Sequence, residues 1–251
     1  MNNLIQWPKA KYWTAQWNPI IGCKPCSPAC EHCYAAAWAR RFGQSFEPHK
    51  SAQKYPPKKG VVFCGNLTDC FGNWREPIAM GNDIIHTAIR GLFANDADAT
   101  YLWLTKRVDN MCAAIDWAVQ TVVPERTLKR HYFGITSENQ QWFDERSPRI
   151  FVRFPRSIKL WLSLEPLLGP IDFRIAADSY SWVVVGCESG PNRRPCKIEW
   201  VESVVEQCRK ANVPVFVKQL DIGGKCIADI NKFPEHLRIR QVPWAKEGVA
   251  K

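Results

Sequence analysis

The densest chemistry in the sequence is the segment Gly22-Cys23-Lys24-Pro25-Cys26-Ser27-Pro28-Ala29-Cys30-Glu31-His32-Cys33-Tyr34-Ala35. Four thiols within one short stretch offer soft ligands for a metal ion or cluster. Two three-cysteine registers are present: Cys26, Cys30 and Cys33 space as C-x3-C-x2-C, and Cys23, Cys30 and Cys33 as C-x6-C-x2-C. Three thiolates suit a [4Fe-4S] cluster with one iron left open, whereas four would complete its coordination. Zinc bound by Cys23, Cys26, Cys30 and Cys33 is the rival, because C-x2-C occurs twice and four-cysteine zinc sites are common. Such sites more often draw ligand pairs from separated turns, so the cluster is the better match.

The remaining cysteines, Cys64, Cys70, Cys112, Cys187, Cys196, Cys208 and Cys226, are scattered along the chain and read as buried apolar residues. The start of the chain shows no basic segment followed by an apolar one. A cytoplasmic protein is therefore expected, whose thiols are metal-bound or buried rather than paired in disulfides. No apolar run reaches the roughly 20 residues of a membrane helix, so no membrane association is expected. The formal net charge is +10 and there are twelve tryptophans. The charge favours a polyanionic partner such as nucleic acid, and aromatic rings interleaved with Arg and Lys could stack on bases, although most of the tryptophans read as core or pocket lining.

Elements must position this loop. Apolar runs recur at Trp17–Gly22, Gly60–Cys64, Thr100–Leu104, Tyr132–Ile135, Ile158–Leu162, Ser181–Val185 and Val213–Val217. They are continuous rather than alternating, as in strands buried on both faces of a parallel sheet. Helical patterns separate them at Glu31–Phe42, Pro77–Phe93, Val108–Val119, Gln141–Phe151 and Glu199–Asn212. The alternation predicts an α/β fold, a partial (β/α) barrel of about six or seven parallel strands over residues 1–229, with a C-terminal extension at 230–251 packed on its outside. Polar residues follow the strands: Asp69, Lys106, Glu138, Glu165, Glu188 and Lys218. In such a barrel these positions share one mouth, where catalytic groups sit.

Several of these segments together resemble the phage-type three-cysteine proteins related to the radical S-adenosylmethionine (SAM) superfamily. The resembling segments are Trp17–Cys23 with Ser27–Ala35, Asn66-Leu67-Thr68-Asp69-Cys70-Phe71, Leu104-Thr105-Lys106-Arg107, Gly134–Gln140, Leu162–Asp172, Val185–Pro191 and Phe216–Gln219. The resemblance implies a radical-SAM-type barrel holding a [4Fe-4S] cluster and S-adenosyl-L-methionine, with the wider register Cys23, Cys30 and Cys33 as ligands and Cys26 as an extra thiol. It further implies reductive cleavage of SAM to a 5′-deoxyadenosyl radical, fed by a flavodoxin or ferredoxin system.

On that footing Tyr34 packs beside the cluster. Asn66, Thr68, Asp69 and Lys106, with Ser137, Glu138, Asn139, Ser163 and Glu165, are the expected SAM contacts. Glu138, Glu165, Glu188 and Lys218 are the expected catalytic groups. The expected substrate is DNA or a nucleotide, modified or rearranged at a base such as a hypermodified thymidine of phage DNA, in the host cytoplasm if the chain is phage-encoded. Base repair by a lyase, and a zinc-stapled nucleic-acid-binding protein without catalysis, are the alternatives.

Overall fold

Strands form where the apolar runs stand. In a computed structural model, described here for residues 7, 9–53, 55–72, 98–121, 125–151, 158–190 and 192–244, they are β1 (Ala15–Trp17), β2 (Ile20–Ile21), β3 (His49–Lys50), β4 (Lys59–Cys64), β5 (Asp98–Thr105), β6 (His131–Thr136), β7 (Lys159–Leu164), β8 (Trp182–Gly186), β9 (Val215–Ile222) and β10 (Lys225–Ile227). Among the described residues four α-helices accompany them: α1 (Tyr34–Arg41), α2 (Val108–Thr121), α3 (Gln140–Phe151) and α4 (Ile198–Lys210). The expected helix Pro77–Phe93 lies outside the described residues.

The strand order is β1-β4-β5-β6-β7-β8-β9-β10, with β2 and β3 pairing separately. β1, β4 and β5 pair in parallel, as do β7, β8 and β9. The fold is thus mixed α/β with a mostly parallel eight-stranded sheet. Its sequential neighbours are the strand order of a (β/α) barrel. The middle strands are buried along their length, β6 and β8 at every position, which is why their sequences do not alternate. Among the described residues, no helix is long and apolar enough to cross a membrane.

The chain divides into two compact units. One comprises residues 1–12, 135–147 and 160–251, the other 13–134 and 148–159. The C-terminal segment is part of the first unit. The Val217 amide donates to the Ile239 carbonyl, and the Gln241 amide to that of Val215. Phe233, Leu237, Val242 and Trp244 are buried. The same unit contains an aromatic core in which the Trp182 ring lies 5.1 Å from Trp161, 4.8 Å from Trp244 and 5.0 Å from Tyr12. Trp17, Trp103, Trp161, Trp182 and Trp244 are all buried. These five are core, as expected of most of the tryptophans, and a ring enclosed by protein has no face to offer a base.

Local chemistry explains where element boundaries move. The run Trp17–Gly22 is two strands rather than one, because Pro19 has no N–H for a ladder and the Asn18 side chain turns to bond the Leu67 amide at 3.0 Å. Helix α1 begins at Tyr34 rather than Glu31. Pro28 opens a separate 3-10 turn at Pro28–Cys30, and no side chain caps α1 at Cys33. β9 runs on past Val217 to Ile222 and returns as the antiparallel β10. Gly223 and Gly224 have φ of +57° and +71°, the pair of positive values that a two-residue hairpin turn requires.

In the second unit His131 opens β6 inside an aromatic stack. Its ring is 5.0 Å from Tyr101, 6.1 Å from Trp103 and 6.0 Å from Phe133, and its Nδ1 accepts from Trp103 Nε1 at 2.9 Å. Burial pushes the imidazole down from 6.5 to about 3. Between those values the unfolded chain binds a proton that the folded one does not, so stability is lost as pH falls below 6.5. The loss expected from this group is about 2 kcal/mol by pH 5, read as a lower urea midpoint than at pH 7. An imidazole proton signal titrating near 6.5 in the folded protein would refute it.

Candidate functional site

The cysteine loop is assembled in the second unit by a glycine and by residues after β4. Gly22 has φ +94°, and a Cβ there would lie 2.5 Å from the Glu47 carbonyl oxygen. Only glycine satisfies both constraints. The Gly22 amide donates to the Leu67 carbonyl at 3.1 Å and the Cys23 amide to the Phe46 carbonyl at 3.0 Å. Thr68 Oγ1 donates to the Gly22 carbonyl at 2.7 Å. Asn18 Nδ2 donates to Asn66 Oδ1 at 2.7 Å, and the Tyr34 hydroxyl donates to the Asn66 carbonyl. Asn66, Thr68 and Tyr34, expected near the cofactor, therefore stand at the loop, where each holds its backbone in place.

Gly22→Ala should cost about 2 kcal/mol or more, from the positive φ and the displaced Phe46–Glu47 backbone. That is a fall in Tm of about 2–4 °C per kcal/mol for a chain of this size. An unchanged Tm would show that the loop tolerates the displacement.

The thiols sit unequally. Cys26 is exposed, while Cys23, Cys30 and Cys33 are half-buried. The Pro28–Cys30 turn continues to Cys33, whose amide donates to the Cys30 carbonyl at 3.3 Å, so the C-x2-C pair lies one turn apart. A hydrogen bond from the Cys26 thiol, joined by the charge of Lys106, holds Cys30 well below the ordinary thiol range against the cost of burial. The same hydrogen bond and burial push Cys26 up. Burial and the Asp69 carboxylate push Cys23 up to about 11, opposed by Arg107.

Two cations approach the thiols. Lys106 Nζ is 3.8 Å from Cys30 Sγ, and Arg107 Nη1 is 4.0 Å from Cys23 Sγ. Asp69 organises both. It accepts from Thr105 Oγ1 at 2.7 Å, the Lys106 amide at 3.1 Å and Arg107 Nη1 at 3.0 Å. Arg107 also donates to the Lys24 carbonyl at 2.7 Å, tying the β5 end to the loop. Arg107 is the residue that the strand-end pattern overlooked. It stands beside Lys106 in sequence, but its role depends on Asp69 and Lys24, which are distant in the chain.

Among the described residues, no three His, Cys, Asp or Glu side chains are already gathered as ligands for a metal ion. The donor set nonetheless fits an anionic thiolate-ligated cluster. It offers three soft donors on one loop, one of them favoured as thiolate, with two cations alongside. Ligand binding commonly completes such sites.

The other strand-end residues belong to the first unit and form three separate contacts there. Glu138 is fully buried. Its Oε2 accepts from Arg146 Nη1 at 2.7 Å, and its Oε1 has no hydrogen-bond partner. Ser137 is buried beside it in sequence with its hydroxyl unpartnered, and the Asn139 side chain accepts from the Trp142 amide at the start of α3. Glu165 Oε1 pairs with Lys218 Nζ at 2.8 Å, while Tyr12 and Ser163 hydroxyls each stand 3.4 Å from Oε2. Glu188 accepts from the Arg194 amide at 2.8 Å and from Arg194 Nε at 3.2 Å. Of the predicted groups, Glu165, Lys218 and Ser163 are brought together, as are Asp69 and Lys106 in the second unit.

A family model described as protein of unknown function (DUF5131) matches residues 5–236. The chain belongs to this family. No curated protein and no solved structure matches the chain. The part shared with DUF5131 includes the whole cysteine loop, the Asp69–Arg107 network and every strand of the sheet. Within it the DUF5131 chain also gathers three cysteines that look isolated in sequence. Cys187 follows β8, Cys226 lies in β10 and Cys196 precedes α4. Burial, then the neighbouring Cys226, pushes the Cys187 thiol up, and burial and Asp221 push Cys196 up to about 12. Cys187 and Cys196 are buried, as expected, and Cys226 is half-buried; what the sequence did not foresee is the Gly223-Gly224 hairpin, which brings Cys226 back to Cys187.

Proposed function

We propose that this chain is a radical SAM enzyme in which Cys23, Cys30 and Cys33 hold a [4Fe-4S] cluster, and that it modifies or rearranges a nucleic-acid base, such as a hypermodified thymidine of phage DNA. The observation that carries the reading is a loop that gathers Cys23, Cys30 and Cys33 within eleven residues, with Lys106 Nζ 3.8 Å from Cys30 Sγ and Arg107 Nη1 4.0 Å from Cys23 Sγ. When bound, such a cluster supplies the electron that cleaves SAM and so delivers a 5′-deoxyadenosyl radical. The residues of the chain do the rest. Lys106 and Arg107 offset the negative charge of the thiolates, and Asp69 keeps both cations in position. The Glu165–Lys218 pair, flanked by Tyr12 and Ser163, offers a carboxylate and an ammonium to polar groups of a bound ligand. The net charge of +10 favours a polyanionic substrate.

The test is anaerobic reconstitution of the full chain with iron and sulfide. The expected result is a brown protein that releases 5′-deoxyadenosine from SAM after reduction by a flavodoxin or ferredoxin system. A colourless protein carrying one zinc ion would overturn the reading. Nucleosides of phage DNA made with and without the gene should differ by mass spectrometry, and an identical profile would remove the DNA-base substrate.

A further inference from the structure

Helix α1 leaves the cysteine loop directly, with Cys33 as its N-cap. Its sequence, Tyr34-Ala35-Ala36-Ala37-Trp38-Ala39-Arg40-Arg41, has two faces. Ala35 and Ala39 are buried, whereas Tyr34, Trp38 and the following Phe42 are 54%, 41% and 58% exposed. Tyr34, Trp38 and Phe42 recur every four residues and so line one stripe. Only one other large hydrophobic among the described residues, Tyr55, is comparably exposed. Leaving three aromatic rings of one helix in water forgoes burial worth about 1.5–3 kcal/mol for each large apolar side chain. Single exposed apolar residues are ordinary, but a contiguous aromatic stripe marks a binding surface.

The chemistry of the stripe indicates what binds. The Trp38 and Phe42 rings are 5.1 Å apart, inclined at 53°, and the Arg41 guanidinium lies 6.0 Å from the Phe42 centroid. Arg40 and Arg41 are exposed, and α1 contains no acidic residue. Along the helix, four residues advance about 6 Å, so the exposed rings are spaced at a step an extended polynucleotide can follow. Rings in series with a guanidinium beside them are the arrangement that binds single strands without reading sequence.

We infer that the exposed face of α1, formed by Trp38 and Phe42 with Arg41, bordered by Tyr34 and with Arg40 exposed further round the helix, is a stacking platform for single-stranded nucleic acid. It rests on the proposed nucleic-acid substrate and deepens it, by placing the bound strand on the helix that begins at the last cysteine of the loop. An acidic protein is the other class of partner a basic aromatic face can take. The rings beside a guanidinium, on a chain of net charge +10, favour the polynucleotide.

The experiment is an anisotropy titration of a fluorescein-labelled oligothymidine with the full chain, as isolated and after cluster reconstitution, over a salt series. Trp38→Ala and Phe42→Ala should each weaken binding roughly five- to hundredfold, from lost stacking of about 1–3 kcal/mol per base. Arg40→Ala with Arg41→Ala should lower the salt slope by about 0.7 per arginine. Trp38→Phe should retain binding, while Trp38→Leu, which keeps apolar bulk, should lose it. Circular dichroism and Tm of each variant separate misfolding from lost contact. Equal binding by wild type and a folded Trp38→Ala/Phe42→Ala variant would overturn the platform, as would retention of an acidic flavodoxin but not of the oligonucleotide. A chain that binds iron and cleaves SAM yet ignores the oligonucleotide would lose the platform and keep the radical chemistry. A colourless chain that binds it through Trp38 and Phe42 would do the reverse.

Discussion

Cys30→Ser is expected to abolish iron and sulfide uptake and, with it, release of 5′-deoxyadenosine from SAM. Cys30 is the thiol at which the loop's electrostatics converge, through the Cys26 hydrogen bond and Lys106. A serine hydroxyl stays protonated near neutral pH and is a poor ligand for iron, while its size hardly disturbs the turn. Loss of uptake with an unchanged Tm therefore reports ligation rather than folding. The two remaining candidates should separate. Cys23 is half-buried beside Arg107 and Asp69, whereas Cys26 is exposed and serves Cys30 as hydrogen-bond donor. Cys23→Ala should lose iron as completely as Cys30→Ser, and Cys26→Ala should retain it. The opposite pattern would assign the C-x3-C-x2-C register. Equal loss of a single zinc ion from both variants would point to a four-cysteine zinc site.

Arg146→Ala should destabilise the chain by about 3–5 kcal/mol, the cost of leaving a buried charge without its partner. Arg146 Nη1 donates to Glu138 Oε2 at 2.7 Å and to the Thr136 carbonyl at 2.6 Å. The guanidinium lies 4.3 Å from the Trp142 ring centroid. Glu138 and Arg146 side chains are 0% and 3% exposed, so water cannot replace either partner. The shift in Tm should be about 6–20 °C at 2–4 °C per kcal/mol. Glu138→Gln with Arg146→Met should recover part of the loss, since no net charge is then buried. A Tm within 2 °C of wild type for Arg146→Ala would show the pair to be solvated. The measurement also bears on the catalytic role expected of Glu138. A catalytic carboxylate would lose activity in Glu138→Gln at unchanged Tm, whereas a structural one would lower Tm first.

Much of the sheet was legible because a strand buried on both faces must be apolar at every position. Gly60–Cys64 and Ser181–Val185 announce themselves in this way. Boundaries were less legible because single residues set them. Pro19 splits one run by lacking an N–H, and Gly223-Gly224 reverses the chain where apolar content alone suggested an end. The polar strand-end residues were legible as a set, but their partners were not. Asp69 is bound to Thr105, Lys106 and Arg107, and Glu188 to Arg194, through contacts that a linear pattern cannot distinguish from open catalytic groups.

By itself the sequence determined the donor chemistry. Thiol spacing on the loop, the sign of the overall charge and the βα rhythm depend on residue types and short separations. Tertiary structure alone decided which charges meet those thiols, that Trp17, Trp103, Trp161, Trp182 and Trp244 are enclosed while Trp38 faces water, and that Cys187, Cys196 and Cys226 are neighbours. Each of these depends on which distant backbone segments pack side by side, and burial and Coulomb energy follow distance in space rather than along the chain.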